Sequence, residues 1–316
     1  MGELSHEAIL SRYQAAQSRR RPWESLWRDC YAFALPQRGS GFGSRFDPAR
    51  RHSENLFDGT ASDAVEQLAA SLLAELTPPW SQWFGLVPGC EVTEFERPHV
   101  SEELDKATQT LQGHFDRSNF AVEIHQAFLD LATVGAATLL FEEAPLGALS
   151  AFRLTAVPMS EMFFESGPDD QILGHFRSRN LPHQKLKALF PDAELPSQKD
   201  RHSTEGSQQS LPIVEAVLPC NSGFEYTALL VDQLNNPTLL AQGLLPTSPF
   251  ISFRWLKGAS EIYGRSPVMT ALPDIKTVNK VVELVLKNAS IAVTGIWQAD
   301  DDGVLNAANK RSQLDN

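Results

Sequence analysis

Apolar residues in the first third of the chain recur at three- and four-residue spacing, which predicts amphipathic helices. The first predicted helix spans about Glu7 to Tyr31, and Pro22 is a point at which it could break. The second runs from a capping residue, Thr60 or Ser62, to about Leu76 and has one apolar face. Each apolar face needs a partner surface, so we expect these helices to pack on a common core.

Two further predicted helices lead into a sheet. A polar helix is predicted from Ser101, with glutamates in its first turn, to about Arg117. An apolar helix is predicted from about Val122 to Val134, and the segment AATLLFEE after Gly135 has strand character. The chain therefore changes from helices to β structure at this glycine.

The middle of the chain predicts short strands, because runs of β-branched and aromatic residues alternate with turn residues. The predicted strands lie at 152 to 157, 161 to 165, 172 to 179, 213 to 218, 224 to 231, 238 to 242 and 250 to 255. The sequence GPDD at 167 to 170 predicts a hairpin turn, and 181 to 190 predicts a short helix. The segments 36 to 51 and 198 to 210 lack apolar periodicity, which indicates an arm or loop.

The longest predicted helix spans Pro267 to Ala289, with a kink or restart at Pro273. At about 100° per residue, four charged residues share one face and four valines lie on the opposite face. The charged residues are Lys276, Lys280, Glu283 and Lys287. This charged face is either the solvent side of an amphipathic helix or a surface that meets a ligand, and the valines require a neighbour.

The segment LTPPWSQWF at 76 to 84 places two tryptophans, two prolines and a phenylalanine directly after the second helix. Exposed aromatic side chains can hold a ligand, but no convergent polar residues accompany them here. We favour a corner, in which the prolines end the helix and Trp80, Trp83 and Phe84 pack it on a strand through Leu86.

Composition narrows the classes of protein. The 316 residues are 42% hydrophobic, which is enough for two packed regions or one large domain. The 27 Lys and Arg against 39 Asp and Glu give a net charge of −12, which argues against a general nucleic-acid coat. Three scattered cysteines offer no disulfide framework and favour a reducing compartment. With no apolar leader and no run of about 20 apolar residues, we expect a soluble protein without membrane contact.

Motifs for catalysis, nucleotide binding and metal binding are absent from the sequence. GSGFG at 39 to 43 has no preceding strand and lacks the GK[ST] ending of a phosphate-binding loop. The histidines show no HExxH spacing, and there is no GxSxG. The run Asp300 to Asp302 lacks the alternation of a calcium loop and predicts a solvated turn. We therefore expect no enzymatic activity, no cofactor and no metal.

Four stretches in order resemble the head-to-tail connecting (portal) proteins of short-tailed, podovirus-type bacteriophages. They are RPWESLW from residue 21, LFDGTASDAVEQLAASLLAELTPPWSQWFGL at 56 to 86, AFLDLATVGAATLLFEE at 127 to 143 and FRWLKGASEIYGRSPVMTALPDIKTVNKVVE at 253 to 283. The last stretch is the most specific, since it carries R-W, Y-G-R-S and a long helix with L-x-D-I-K-x-x-N in that order.

The resemblance implies an α+β portal fold. Residues 1 to 258 would form the wing, 259 to 290 the first stem helix and 291 to 316 the start of the clip. The second stem helix, the spine helix and the crown of the family would be missing. We therefore expect a chain that stops short, as a truncated gene product, a degraded prophage copy or one part of a split gene does.

The function implied by the resemblance is that of a dodecameric ring at one capsid vertex, through which DNA is packaged and ejected and to which the tail attaches. The implied partners are further copies of the chain, double-stranded DNA, the terminase motor, scaffolding and major capsid proteins, and tail adaptor proteins. The implied location is the virion, and the host bacterial cytoplasm during assembly. The alternatives are a virion-associated enzyme, an adaptor that does not line the channel, and a nonfunctional truncated prophage portal.

The resemblance also assigns two sets of site residues, neither of them catalytic. The shared face of the long helix makes Lys276, Lys280 and Lys287 the candidates for the DNA channel. The candidates for a subunit interface or a corner of the wing are Trp80, Trp83, Phe84, Tyr263 and Arg265.

Overall fold

The computed structural model describes residues 5 to 41, 56 to 168, 170 to 191, 193, 210 to 231 and 237 to 294. Most of the predicted arm, most of the predicted polar loop, the run Asp300 to Asp302 and nearly all of the predicted clip segment lie outside the described residues. Among the described residues, no helix is both long and apolar enough to cross a membrane.

The helices follow the predicted order. They are α1 (His6–Ala34), α2 (Thr60–Leu76), α3 (Arg97–Arg117), α4 (Phe120–Val134), α5 (His183–Leu189) and α6 (Pro267–Thr294). A 3-10 turn, Pro36–Gly41, follows α1 where the sequence indicated an arm or loop. Gly135 ends α4 in the left-handed conformation, with φ of 75°, and the first strand begins at the next residue.

The strands are antiparallel throughout the described part of the chain. They are β1 (Ala136–Glu143), β2 (Phe152–Val157), β3 (Met162–Ser166), β4 (Ile172–Pro182), β5 (Ser210–Cys220), β6 (Gly223–Val231), β7 (Pro237–Leu245), β8 (Phe250–Arg254), β9 (Leu256–Lys257) and β10 (Gly264–Arg265). Their order is β2-β1-β8 in one sheet, β3-β4-β5-β6-β7 in a second and β10-β9 in a short pair. The combination of helices and antiparallel sheets confirms the expected α+β class, and the hairpin predicted at GPDD joins β3 to β4.

Helix α1 connects two parts of the core. Its C-terminal half, with Trp27 and Tyr31, packs into the main cluster formed with α2, α4, the three-stranded sheet and the start of α6. Its N-terminal half, with Ile9 and Tyr13, packs on one face of the five-stranded sheet. We call α1 to α5 together with the sheets the body.

The free edge of β2 is closed by side chains from the start of α4. Asn119 accepts a hydrogen bond from the Leu154 N–H and donates to the Leu154 carbonyl. Glu123 accepts from the Ala156 N–H at 2.7 Å. Three outward backbone groups of this edge strand therefore have partners within the chain.

The free edge of β3 is closed in the same way by other elements. Arg20 of α1 donates to the Met162 carbonyl at 2.8 Å. The Tyr263 hydroxyl oxygen accepts from the Phe164 N–H at 3.3 Å. Two sheet edges are thus covered by side chains rather than by further strands.

Two predictions around α3 are wrong. The helix begins at Arg97 and not at Ser101, because Pro98 occupies its first turn, a position where a missing N–H costs nothing. No strand passes through Leu86, since its N–H donates to the Thr108 hydroxyl and residues 82 to 89 have no strand partner.

Smaller corrections concern caps and prolines. The residue that caps α2 is Gly59, and neither Thr60 nor Ser62 supplies a capping side chain. Pro22 and Pro273 lie inside helices that the structure assigns without interruption, so neither the break nor the restart occurs. A proline removes one hydrogen bond of a helix, and tertiary packing around α1 and the start of α6 offsets that loss.

Candidate functional site

The four sequence motifs converge where α6 joins the body. Residues 23 and 27 come from the first motif, 57 and 58 from the second, 133 and 135 from the third, and 263 to 279 from the fourth. We call this region the junction. The residues 267 to 279 are the anchored half of α6, and 280 to 294 are its projecting half.

Tyr263 lies at the centre of the junction and is fully buried. Its ring meets Trp27 edge-on with centroids 4.9 Å apart, and it stacks on Phe164 at 5.2 Å. Burial raises the pKa of Tyr263 to about 12, so the hydroxyl stays protonated at neutral pH. The structure therefore places Tyr263 inside the body, where it holds α1 against β3.

Two glycines allow the entry to α6 to touch the end of α4. A Cβ on Gly135 would lie 2.6 Å from the Gly264 carbonyl oxygen, so a larger residue does not fit. Ser266 then accepts the N–H of Met269, which caps the start of α6, and donates to the Thr133 carbonyl. These contacts fix the first turn of α6 on the body.

Arg265 lies at the surface of the junction. Its guanidinium forms a two-point contact with the Glu261 carboxylate and lies 5.8 Å from the centre of the Trp23 ring. Its side chain is 57% exposed, so the pair is a surface ion pair of small energetic value. Arg265 therefore remains accessible to a neighbouring molecule.

Asn279 joins the anchored half to the start of α2. Its side-chain oxygen accepts the N–H of Phe57 at 2.7 Å and that of Asp58 at 3.1 Å. Asn279 is 6% exposed and follows Val268, Leu272 and Ile275 on one helical stripe. An asparagine on an otherwise apolar stripe is the signal that sequence reasoning missed, because a buried amide needs partners.

The structure divides the three candidate channel lysines. Lys276 reaches Asp29 of α1 at 2.6 Å and lies 5.7 Å from the centre of the Phe33 ring, so it forms a surface ion pair with the body while its side chain stays 41% exposed. Lys280 and Lys287 both bind the Glu283 carboxylate, at 2.9 and 2.5 Å. The hydrogen bonds from Lys287 and Lys280 lower the pKa of Glu283 and keep it ionised. Two positive charges and one negative charge therefore form an exposed cluster.

The projecting half exposes apolar side chains that the body does not cover. Val281, Val285 and Val293 are 53%, 61% and 88% exposed. The other exposed apolar residues of this half are Leu284, Leu286 and Ile291. At about 100° per residue the apolar positions occupy roughly 220° of the helix surface. Only a narrow polar stripe that contains Glu283 and Lys287 separates them.

The aromatic segment after α2 packs partly against the neighbouring helices. Trp83 stacks on Phe120 with centroids 5.5 Å apart and meets Phe84 and Phe115 edge-on. The neighbouring Trp80 is 88% exposed. Trp83 and Phe84 thus pack the segment against α3 and α4, while Trp80 offers a free apolar surface.

A buried polar group supports the turn after α1. Asp130 is 2% exposed, binds Arg38 at 2.7 Å and accepts the Tyr31 hydroxyl at 3.0 Å. Burial raises the pKa of Asp130, and Arg38 and Tyr31 oppose that shift. Within the described ranges, no group of three or more potential metal ligands occurs. The ion pair between Arg38 and Asp130 therefore stabilises the turn after α1 against α4.

Comparison with known proteins agrees with this arrangement of motifs. A family model described as "Bacteriophage head to tail connecting protein" matches residues 6 to 314. The chain is also 26% identical over 284 residues to a "Probable portal protein" of Bordetella phage BPP-1. That alignment covers 87% of the chain and 51% of the relative, so the chain spans about half the length of the curated relative it matches. Because the family model covers nearly all of the sequence, the chain belongs to the bacteriophage head to tail connecting protein family.

Proposed function

We propose that this chain is a portal subunit, copies of which form a ring at one capsid vertex. DNA passes through the ring during packaging and ejection, and the tail attaches to it. The observation that carries the proposal is the exposed apolar surface of the projecting half, where apolar side chains lie side by side along one helix. Membership of the connecting family and the likeness to a probable portal protein support it.

The width of that surface favours neighbours on two sides. One packed helix covers an apolar stripe of about 100°, whereas the projecting half presents roughly 220°. In a closed ring each copy has one neighbour on either side, and the two contacts use different surfaces. The projecting half fits the stem position of a ring, and a dodecamer is the number that the resemblance implies.

The charged cluster fits a surface past which DNA moves. Every phosphate contact adds affinity and salt dependence, so a channel that lets DNA advance needs weak contacts. Lys280 and Lys287 both pair with Glu283, so the three residues together carry one net positive charge in each copy. Because Lys276 is engaged with Asp29, we rank Lys280 and Lys287 ahead of it as channel residues.

The proposed ring also assigns regions of the chain, partners and a location. Residues 1 to 258 form the wing, 259 to 290 the first stem helix and 291 to 316 the start of the clip. The partners are DNA, the terminase motor, scaffolding and major capsid proteins and tail adaptor proteins, and the subunit works in the virion after assembly in the host cytoplasm. Trp80 and Arg265, both exposed, are the candidates for contact with a neighbouring copy.

The assembly test compares two pairs of lysine substitutions in the full chain. Val281→Lys with Val285→Lys places charge on the apolar surface, and mass photometry is expected to show single chains instead of rings. Ser290→Lys with Thr294→Lys places the same charge on the polar stripe and should leave rings intact. Single chains in the unmodified protein at every concentration, or rings in the valine variant, would contradict the proposal.

The channel test is made on assembled rings. Lys280→Ala with Lys287→Ala should weaken binding of duplex DNA and reduce its dependence on salt concentration, because phosphate contacts are lost. Lys106→Ala on α3, which removes an equally exposed lysine from the body, is the control. An unchanged salt dependence in intact rings would show that this face does not meet DNA, without affecting the assembly result.

A further inference from the structure

Helix α6 packs against the body up to Asn279 and is exposed to solvent from about one turn later. Val268 and Leu272 in its anchored half are buried, and so is Asn279. From residue 284 to 294 every position is exposed. Asn279 is therefore the last buried residue of α6 before the helix leaves the body.

The contact that Asn279 makes is specific in geometry. The Phe57 and Asp58 N–H groups lie directly before α2, and the capping residue Gly59 supplies no side chain to bind them. The side-chain oxygen of Asn279 accepts both hydrogen bonds, although Asn279 lies more than 200 positions further along the sequence. A helix that rotated or slid along its axis would break both bonds and leave the N–H groups without that partner.

Small rotations at this point have large consequences at the end of the helix. The projecting half has fifteen residues, which corresponds to about 22 Å at 1.5 Å per residue. A tilt of about 10° at Asn279 would move its tip by about 4 Å over that length. Packed surfaces tolerate much smaller displacements.

We propose that Asn279 is a positioning residue that sets the direction in which the projecting half leaves the body. Its two hydrogen bonds to the segment before α2 fix the rotation and tilt of α6 at the last supported turn. Lys276 adds a second, weaker contact to α1 one turn earlier, about 60° away from Asn279 around the helix. This role is a property of a single chain and goes beyond the proposed ring. In a ring, the direction of the projecting half would determine how it meets the neighbouring copies.

The test measures the distance between the body and the tip of α6. Spin labels are attached to Val122→Cys on α4 and Ser290→Cys on α6, in a chain with Cys90→Ser and Cys220→Ser, and labelled chains are diluted with unlabelled chain. Pulsed electron paramagnetic resonance then reports the distance distribution within one chain. Asn279→Leu is expected to shift its mean by about 4 Å or to broaden it by a similar amount.

Two further variants distinguish the loss of the hydrogen-bond acceptor from a general change in side-chain packing. Asn279→Asp retains an oxygen that accepts both N–H groups, so its distribution should stay close to that of the parent. Thr277→Leu changes an exposed residue of the same turn and should cause no shift. If Asn279→Leu does not fold, Asn279→Ala, which adds no bulk, is judged by the same criterion.

The proposal fails if loss of the oxygen leaves the distribution unchanged, or if Asn279→Asp moves the tip as far as Asn279→Leu does. Hydrogen exchange at the Phe57 and Asp58 amides gives an independent measurement, and their exchange should accelerate in the leucine variant only. Because both readouts concern a single chain, a negative result would leave the proposed ring untouched. Absence of a ring would likewise leave this inference standing.

Discussion

The body and the projecting half of α6 depart from the usual distribution of side chains in opposite directions. The body buries charged residues such as Asp130 and Arg20, and each of them binds several groups of the chain. The projecting half exposes valines and leucines, among them Val285 at 61% and Leu284 at 54%. Buried charges need partners, and exposed apolar stripes need a covering surface. The body supplies partners for these two buried charges from its own residues, whereas the apolar side chains of the projecting half stay uncovered in the single chain.

This difference teaches which substitutions should affect a single chain and which should affect only its association. Buried polar residues in the body have large expected effects on the free energy of unfolding, although polar residues usually have small ones. Apolar residues of the projecting half have small expected effects, although apolar residues usually have large ones. Pairs of variants can test the contrast directly.

The largest expected loss comes from the buried carboxylate. Asp130→Ala leaves Arg38 and the Tyr31 hydroxyl without their acceptor, and removal of one partner from a buried pair costs about 4 kcal/mol. Unfolding in urea, followed by tryptophan fluorescence, measures the change. Glu142→Ala breaks the exposed pair with Arg153 and should cost less than about 1 kcal/mol. Equal losses in the two variants would remove the contrast between buried and exposed pairs.

Two leucines of α6 compare its halves with the same chemical change. Leu272 is 5% exposed and Leu284 is 54% exposed. Leu272→Ala should lower the free energy of unfolding by about 3 kcal/mol because it leaves a cavity, and Leu284→Ala by less than about 0.5 kcal/mol. Denaturant titration at a concentration where the chain is single is the measurement. A large loss for Leu284 would mean that the projecting half packs on its own body.

The body should also lose stability in acid through His175. Burial lowers its pKa from 6.5 to about 4, and its ring meets Ser252, Phe164 and Phe250 and no charged group among these contacts. A lowered pKa means that the unfolded chain takes up the proton first, so stability present above pH 6.5 is lost as pH falls towards 4. With about 1.4 kcal/mol per unit the loss is about 3 kcal/mol.

The measurement for His175 is the difference in pH dependence between two proteins. His175→Phe should flatten the decline in unfolding free energy between pH 7 and pH 4 relative to the parent chain. His99→Ala changes an exposed histidine of the body and serves as the control. Parallel pH profiles for the parent and the phenylalanine variant would show that His175 does not cause the decline.

The smallest of the four contrasts lies within the aromatic segment. Trp83 packs against three phenylalanines, and its replacement by alanine should cost about 2 kcal/mol, since the side chain is half-buried. Trp80→Ala should change stability by less than about 0.5 kcal/mol. Thermal unfolding of the two variants decides between a corner and a ligand cage. A stable Trp83 variant that lost only the binding of a small molecule would favour the cage.

The sequence predicted the elements well where local signals were strong. The apolar stripe of α4, its terminal Gly135 and the strand after it agree with the structure because each rests on residues close in sequence. The predicted start of α3 at Ser101 is wrong because a serine followed by glutamates is typical of a helix start, whereas here these residues lie inside a helix that begins at Arg97. Local patterns therefore located the elements better than their boundaries.

The junction could not be predicted in the same way. The contacts of Asn279 with Phe57 and Asp58 and of Lys276 with Asp29 join residues more than 200 positions apart. Helical periodicity assigns Lys276 to a charged face but does not say whether that face meets solvent, DNA or α1. Only the packing of α6 against the body decides which of its lysines remain accessible.

The closed edges of β2 and β3 have a consequence for solubility. An open edge strand invites pairing with strands of other chains, which leads to aggregation at high local concentration. Asn119, Glu123, Arg20 and Tyr263 occupy the backbone groups through which such pairing would start. A chain with an exposed apolar helix can therefore accumulate without strand pairing through these two edges.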